Sequence, residues 1–260
     1  MFLASLTWSE FKNIASDSLV AVIPLGSTEQ HGSIGPLGTD FTIPEELCKT
    51  SEAADPSHFV VLPTMPYGVC PYHTGFAGSI DIGSATLQAV MTSIVKNLLK
   101  HGIRRFVFVN GHGGNDPALE AACLYAFEQG GLGAIIDWWT IVRELQPSWG
   151  GGHGGGQEAS VMMAIRPDWV HKEKNFVPEE TYHLTNALQS TYGNAITFKG
   201  ATVKIIQQTT AFSKTGTFGG NGDSCQTANA EHGKEIFAGM SRYLTDFLEE
   251  FRKTPLPDTK

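Results

Sequence analysis

Residues 19–40, LVAVIPLGSTEQHGSIGPLGTD, run from an apolar stretch straight into a glycine-rich one that carries Glu29, His31 and Asp40. The first part, LVAVIPL (19–25), has the unbroken apolar character of a strand buried on both faces. The second holds too much glycine to be a helix. A strand that releases its chain at once into two carboxylates and an imidazole is either making a turn with polar decoration or presenting ligands. If they are ligands, the rest of the chain must supply their partners.

The neighbouring segments set the fold. Strand-like runs recur at FVVLPTM (59–65), RRFVFVN (104–110) and LGAIIDWW (132–139). Between them lie runs with apolar residues at three- and four-residue spacing: FTIPEELCKTSEAA (41–54), SATLQAVMTSIVKNLLKHG (84–102) and NDPALEAACLYAFEQGG (115–131). The proline of the first falls early, where a first turn tolerates it. Ser84 is placed to cap the second and His101-Gly102 to end it. ASVMMAI (159–165) reads as another helix, FKGATVKIIQQTTAF (198–212) contains a strand, and Thr227 to Arg252 forms a long final helix. Alternation of strand and helix predicts an α/β fold, a mostly parallel sheet with helices on both faces. No linker divides the chain and no repeat appears, so residues 1–260 are read as one domain. In such sheets ligands bind at the carboxyl ends of the strands, where the glycine-rich segments 26–38 and 111–114 fall.

Composition narrows the function classes. The chain has 260 residues, a formal net charge of −8 and no concentrated basic face, which argues against nucleic acid. No apolar run approaches the roughly 18 residues of a membrane span. The N-terminus, MFLASLTWSEF, lacks a basic region ahead of its apolar residues and reads as no signal peptide. Four cysteines stand far apart without a CxxC pair, so neither a disulfide framework nor a cysteine zinc site is indicated. The expected compartment is the cytoplasm.

Two further loops carry histidine. NGHGGND (110–116) places His112 after a strand, and GGGHGGGQEAS (150–160) places His153 among six glycines with Glu158 where the chain turns helical. Each ion of a two-metal hydrolytic site takes imidazole and carboxylate, one carboxylate can bridge the pair, and a further histidine can handle protons. From residue chemistry alone, loops satisfied by water are the equal alternative. A glycine-rich phosphate cradle is a third, although no Walker pattern follows.

Four ordered motifs carry a resemblance. PLGSTEQHGSIGPLGTD (24–40) resembles the first motif of the creatininase (creatinine amidohydrolase) family, PxGxxEQHGxHxPxxTD. NGHGGN (110–115) is similar to its second, HGGGQEAS (153–160) to its third, usually HAGExETS, and HTGFAGSIDIGSATL (73–87) to its HxxFPGTxSL segment. The resemblance implies a creatininase-like fold and two divalent ions per chain, zinc or manganese, with iron also compatible with the donors. It implies that Glu29 and His112 hold one ion, His31 and Glu158 the other, and that Asp40 bridges them. Water or hydroxide between the ions would be the nucleophile, and His153 matches the histidine that carries protons to the leaving nitrogen. Trp139 and Trp149 fall where creatininase has pocket tryptophans, with core packing as the alternative. Gly113 and Ser79 complete the candidates for substrate contact.

Departures from the family pattern bear on specificity. Gly113 and Gly114 stand where creatininase has a tyrosine and a glutamate, Gly156 replaces the usual HAGE glutamate, Ala77 replaces the FPG proline, and Ser33 replaces a frequent histidine. The expected activity is hydrolysis of a non-peptide carbon–nitrogen bond in a small cyclic amide. The alternatives are a deformylase of a formylaminopyrimidine nucleotide, with Lys199, Lys204 and Lys214 as candidate cations, and an anion-binding protein without catalysis. The expected partners are a small-molecule substrate and further copies of the chain, as a homo-oligomer such as a hexamer.

Overall fold

A computed structural model of the chain describes residues 1–54, 57–191, 195–219 and 223–258. Its centre is the strand quoted first. β1 (Val20–Leu25) is buried along its whole length and lies between β2 (Phe59–Val61) and β3 (Arg105–Asn110). β4 (Leu132–Asp137) extends the sheet in the order β2-β1-β3-β4, all parallel. Alternate residues of β1 feed two cores, as the two-residue period of a strand requires. Ala21, Ile23 and Leu25 join α3 (Ser84–Lys100) and α4 (Asp116–Glu128) through Leu87, Met91, Ala118 and Leu119. Val20 and Val22 face α2 (Thr39–Ala54), α5 (Trp138–Leu145), α6 (Gly156–Ile165) and α8 (Ala230–Phe251) through Leu47, Val142, Met162 and Met240. Helices therefore cover both faces, as the alternation of elements predicts. A short helix, α1 (Trp8–Ile14), packs Phe11 and Ile14 against the first core.

Pro24 stands inside the central strand, a position that normally excludes proline. The even residues of β1 point their backbone groups toward β2: Val20 N–H donates to His58, and Val22 and Pro24 accept from Leu62 and Met65. β2 ends at Val61 and pairing resumes only at Met65, so the donor that Pro24 lacks falls in the gap between them.

Several boundaries differ from the sequence expectation. α2 begins at Thr39, which brings Asp40 into its first turn and puts Pro44 beyond it. Pro44 has no N–H for the carbonyl four residues back, that of Asp40, so this turn is held partly by the loop before it, where Thr42 donates to Gly38. Gly83, with φ +75°, precedes α3, so Ser84 is the helix's first residue rather than its cap. Trp138 and Trp139 belong to α5 rather than to the end of β4. α8 starts after Asn229, whose side chain accepts from His232 N–H. The strand expected within 198–212 is β7 (Ala201–Lys204), the outer member of a small antiparallel sheet with β5 (Gln189–Ser190) and β6 (Ala195–Phe198). A four-residue helix, α7 (Lys172–Asn175), lies between α6 and that sheet.

Register sets the functional end. Leu25, Asn110 and Asp137 pair abreast, so the loops leaving β1, β3 and β4 emerge together. Glycine lets them close: a Cβ on Gly26 would stand 2.3 Å from the Asp40 backbone, and one on Gly111 would stand 1.8 Å from the Asp40 carbonyl oxygen. Asn110 ties the same level together, its Nδ2 donating to Asp116 Oδ1 and Asp137 Oδ1, both at 2.9 Å. Burial and the Asp137 carboxylate push Asp116 up to about 7.

Two outcomes follow from this packing. Gly111→Ala should destabilise the fold by about 1–3 kcal/mol, because the displaced atom is backbone; an unchanged melting temperature would contradict the close approach. Asp116 holds its proton in the folded state where the unfolded chain has lost it, so its contribution to stability falls as pH rises through about 7. Asp116→Asn replaces the carboxyl O–H with an amide N–H that can still donate to Asp137, and it cannot ionise. It should lose less melting temperature than the parent between about pH 5 and about pH 8, and equal losses would contradict the assignment.

Candidate metal centre

Each candidate ligand owes its place to an element end. Glu29 and His31 follow β1, His112 follows β3, Asp40 lies in the first turn of α2, and Glu158 lies in the first turn of α6 with His153 in the loop before it. Glu29, His31, Asp40 and Glu158 are buried, while His112 and His153 are partly exposed.

Asp40 stands between two imidazoles. Its Oδ1 is 2.8 Å from His31 Nε2, and its Oδ2 is 3.2 Å from His112 Nδ1. Each histidine has a second carboxylate beside the same nitrogen: Glu158 Oε2 lies 3.7 Å from His31 Nε2, and Glu29 Oε2 lies 3.3 Å from His112 Nδ1. The opposite ring nitrogens donate to main-chain carbonyls, His31 Nδ1 to Glu29 at 3.1 Å and His112 Nε2 to Val69 at 2.8 Å. Those bonds leave the inner nitrogens free as donors of electron pairs, the arrangement that metal-ligating histidines require.

The electrostatics describe a site built for positive charge. Burial alone would lower His31, but Asp40, Glu158 and Glu29 outweigh it and raise the ring to about 10. His112 is raised for the same reason by Glu29 and Asp40. Burial opposes the ionisation of Asp40, yet the two histidines hold it well below the carboxylate range. Burial pushes Glu158 up to about 7. Protons thus gather on the histidines where cations would otherwise sit, so ligation here must displace protons.

The donor set fits divalent ions on its own geometry. Among the described residues, no hydrogen-bond donor reaches either Glu29 carboxylate oxygen or Asp40 Oδ2, all of them buried, a costly state for carboxylates unless a cation meets them. Glu29, Asp40 and His112 offer ligand atoms within 4.8 Å of one another, as do His31, His153 and Glu158, and also Glu29, His73 and His153.

That last group contains a residue to which sequence reasoning gave no role. His73 lies in the quoted 73–87 segment, is buried, and lines the same cavity. Its ring stacks on His153, with centroids 4.5 Å apart and planes at 26°. Gln30 links the two: its Nε2 lies 2.8 Å from His73 Nδ1, and its main-chain carbonyl accepts from His153 Nε2 at 2.8 Å. His73 and Gln30 belong to two separate motifs, 73–87 and 24–40, and only the fold brings them together.

The cavity over these residues has a volume of about 550 Å³. Trp139, Gly113, Phe218, Tyr72 and Lys204 contribute to its wall. Of the other candidates, Trp149 lies against Gly239 of α8 and packs on the second core, away from the cavity wall. Ser79 accepts from Gln30 N–H at 3.1 Å, holding the loop after β1 instead of facing the cavity. Lys214 pairs with Glu180 at 3.2 Å, and Lys199 sits 5.4 Å over the Phe198 ring. That leaves Lys204, of the three lysines, on the wall.

The glycine replacements now have physical reasons. A Cβ on Gly114 would stand 2.0 Å from the Val69 carbonyl that anchors His112, so a side chain there would break the anchor. Among the described residues beyond its chain neighbours, a Cβ on Gly113 would meet only Trp139, at 3.5 Å, so a side chain there is not excluded by close packing. A Cβ on Gly156 would stand 2.5 Å from Asp223 Oδ1, and Asp223 accepts from Gly152 and Gln157 N–H at 3.1 and 3.0 Å. Gly154 N–H donates to Glu158 Oε2 at 2.7 Å. These backbone donors of loop 150–157 are spent on the chain's own carboxylates, which weakens the reading of that loop as a phosphate cradle.

Comparison with known proteins shows the family and the fold. The creatininase family model, described as creatinine amidohydrolase, matches residues 4–248. The creatinine amidohydrolase of Pseudomonas putida is 29% identical over 67% of this chain and 75% of its own length. The mycofactocin precursor peptide peptidase of Mycolicibacterium smegmatis is 34% identical over 65% of this chain and 67% of its own. A zinc–zinc form of a creatininase mutant superposes with a TM-score of 0.74 at 24% identity, covering 96% of this chain and 98% of that one. With the family model matched over nearly the whole length, the chain belongs to the creatininase family.

Proposed function

We propose that the protein is a metal-dependent amidohydrolase with two divalent ions, zinc or manganese, that opens the carbon–nitrogen bond of a small cyclic amide. The observation that carries this reading is the Asp40 carboxylate, whose two oxygens face two different histidines, each with a further carboxylate at its side. Glu29, His112 and Asp40 would hold one ion, and His31, Glu158 and Asp40 the other. Bound there, the ions supply Lewis acidity, polarising a carbonyl and lowering the pKa of a water.

The remaining chemistry belongs to His153. Its Nε2 donates to the Gln30 carbonyl, so the neutral ring keeps its proton there and turns an unprotonated Nδ1 toward Glu29, 3.7 Å away. Burial and the neighbouring histidines hold the ring well below its ordinary value, so it stays neutral and able to accept a proton. His153 Nδ1 therefore takes a proton from the attacking water and returns it to the departing nitrogen. Trp139 and Phe218 give the cavity apolar walls, and Gly113 lines it without a side chain.

Two observations favour a second reading of the substrate. The cavity exceeds the volume of one five-membered ring, and Lys204 adds a cation to its wall. A larger amide with an anionic group, such as a formamide nucleotide or a short peptide, fits those features, and the similar mycobacterial protein is named as a peptidase. Hydrolysis measured across cyclic amides, formamides and short peptides separates the readings, because only one class should turn over at an enzymatic rate. In solution we propose a homo-oligomer. Among the described residues no helix is long and apolar enough to cross a membrane.

His153→Ala should keep both ions and lose about 10²–10⁴-fold in turnover, the contribution expected of a general acid–base group. Turnover within a few-fold of the parent, on whichever substrate proves active, would remove His153 from the mechanism.

A further inference from the structure

The Gln30 side chain fixes the tautomer of a residue that the proposed mechanism does not use. Gly32 N–H donates to Gln30 Oε1 at 3.0 Å, and Gln30 Nε2 donates to the Gly216 carbonyl at 3.1 Å, so the amide has only one orientation that satisfies both. Two ring nitrogens lie 2.8 Å from Nε2, His73 Nδ1 and His153 Nε2. The Gln30 main-chain carbonyl can only accept, so His153 Nε2 spends its proton there and cannot take the amide hydrogen. The second hydrogen of Nε2 therefore goes to His73 Nδ1. An imidazole nitrogen that accepts a hydrogen bond carries no proton, so neutral His73 must carry its proton on Nε2. That nitrogen points at Glu29 Oε1, 3.5 Å away.

Glu29 Oε1 needs such a donor. It is fully buried and, among the described residues, accepts no hydrogen bond at formed length. The other nitrogen beside it, His153 Nδ1 at 3.7 Å, faces it with a lone pair because the proton of His153 is committed to the Gln30 carbonyl. The same logic excludes the alternative that Glu29, His73 and His153 hold a third ion, although their atoms are close enough. A protonated Nε2 is no ligand, and making it one would set His73 Nδ1–H against the Gln30 amide hydrogens.

We propose that His73 is a positioning residue for the metal centre: its Nε2–H donates to Glu29 Oε1 and holds that carboxylate with Oε2 turned toward His112 and the first ion. The proposal rests on the two-ion reading above. The 3.5 Å separation is longer than a formed hydrogen bond, and such contacts commonly tighten when a site is filled. Stacking between His153 and Phe218 holds the ring in place. The role is distinct from ligation, and it predicts that a neutral N–H donor of similar reach can replace the imidazole.

The test is metal retention. Zinc-loaded protein is dialysed against graded concentrations of a chelator, and bound zinc per chain is counted for the parent, His73→Ala and His73→Gln, with folding checked by circular dichroism. Gln is chosen because its amide nitrogen reaches about as far as imidazole Nε2. His73→Ala should release one of the two ions at a chelator concentration about 10–100-fold lower than the parent, the range typical of lost partners of metal ligands. His73→Gln should recover most of that difference. Parental retention in His73→Ala overturns the proposal, and so does a His73→Gln variant as weak as His73→Ala, which would make the ring mere packing. A parent that binds no zinc would instead overturn the two-ion reading itself.

Discussion

The structure turns on one carboxylate shared by two imidazoles. Asp40 is almost completely buried and still ionised, because His31 and His112 approach its two oxygens from opposite sides. Burying that charge would cost several kcal/mol without compensation. The fold supplies the compensation from two strands at once, β1 through the loop to His31 and β3 through His112. Any shift in register between these strands would move one imidazole and leave Asp40 half-paired. The parallel pairing of Leu25 with Asn110 is therefore a functional constraint as well as a structural one.

Glycine makes that approach possible. The chain spends Gly26 and Gly111 where the first turn of α2 rests on the strand ends, and Gly114 where His112 reaches the Val69 carbonyl. In the loop before α6, Gly151, Gly155 and Gly156 wrap the Asp223 carboxylate, which takes up the backbone N–H groups that begin the helix. A carboxylate at a helix N-terminus is favourable in itself. Here it also holds rigid the segment that carries both His153 and Glu158. The glycine content is thus explained by close contacts around one centre, and flexible loops need not be invoked.

Much of this was legible in the sequence, for identifiable reasons. The buried strand 19–25 and the helices covering 84–102 and 115–131 carry long, unambiguous apolar patterns, so the α/β fold followed. Glu29, His31, Asp40, His112, His153 and Glu158 stood out as carboxylates and imidazoles at strand ends, but chemistry alone left water-satisfied loops as an equal alternative, and the family motifs decided between them. Local pattern misplaced what tertiary contact decides. Asp40 reads as loop because glycines precede it, and only packing on Gly26 and Gly111 shows that α2 starts two residues earlier, at Thr39. Trp149 and Trp139 are alike by position in sequence, yet Trp149 meets the gap at Gly239 while Trp139 turns to the cavity. His73 escaped notice because its partner, Gln30, lies 43 residues away in sequence. Hydrogen-bond networks of that separation leave no periodic trace.

The account stands on Asp40 as the bridge between two ions, and counting metal tests it most directly. Divalent metal per chain should be measured on protein purified without added metal, then after reconstitution, for the parent and for Asp40→Ala side by side. The account predicts close to two ions in the reconstituted parent and the loss of both in the variant, since each ion would lose a ligand and neither histidine would keep its shared partner. An Asp40→Ala variant that holds as much metal as the parent, or a parent that takes up none, would contradict it.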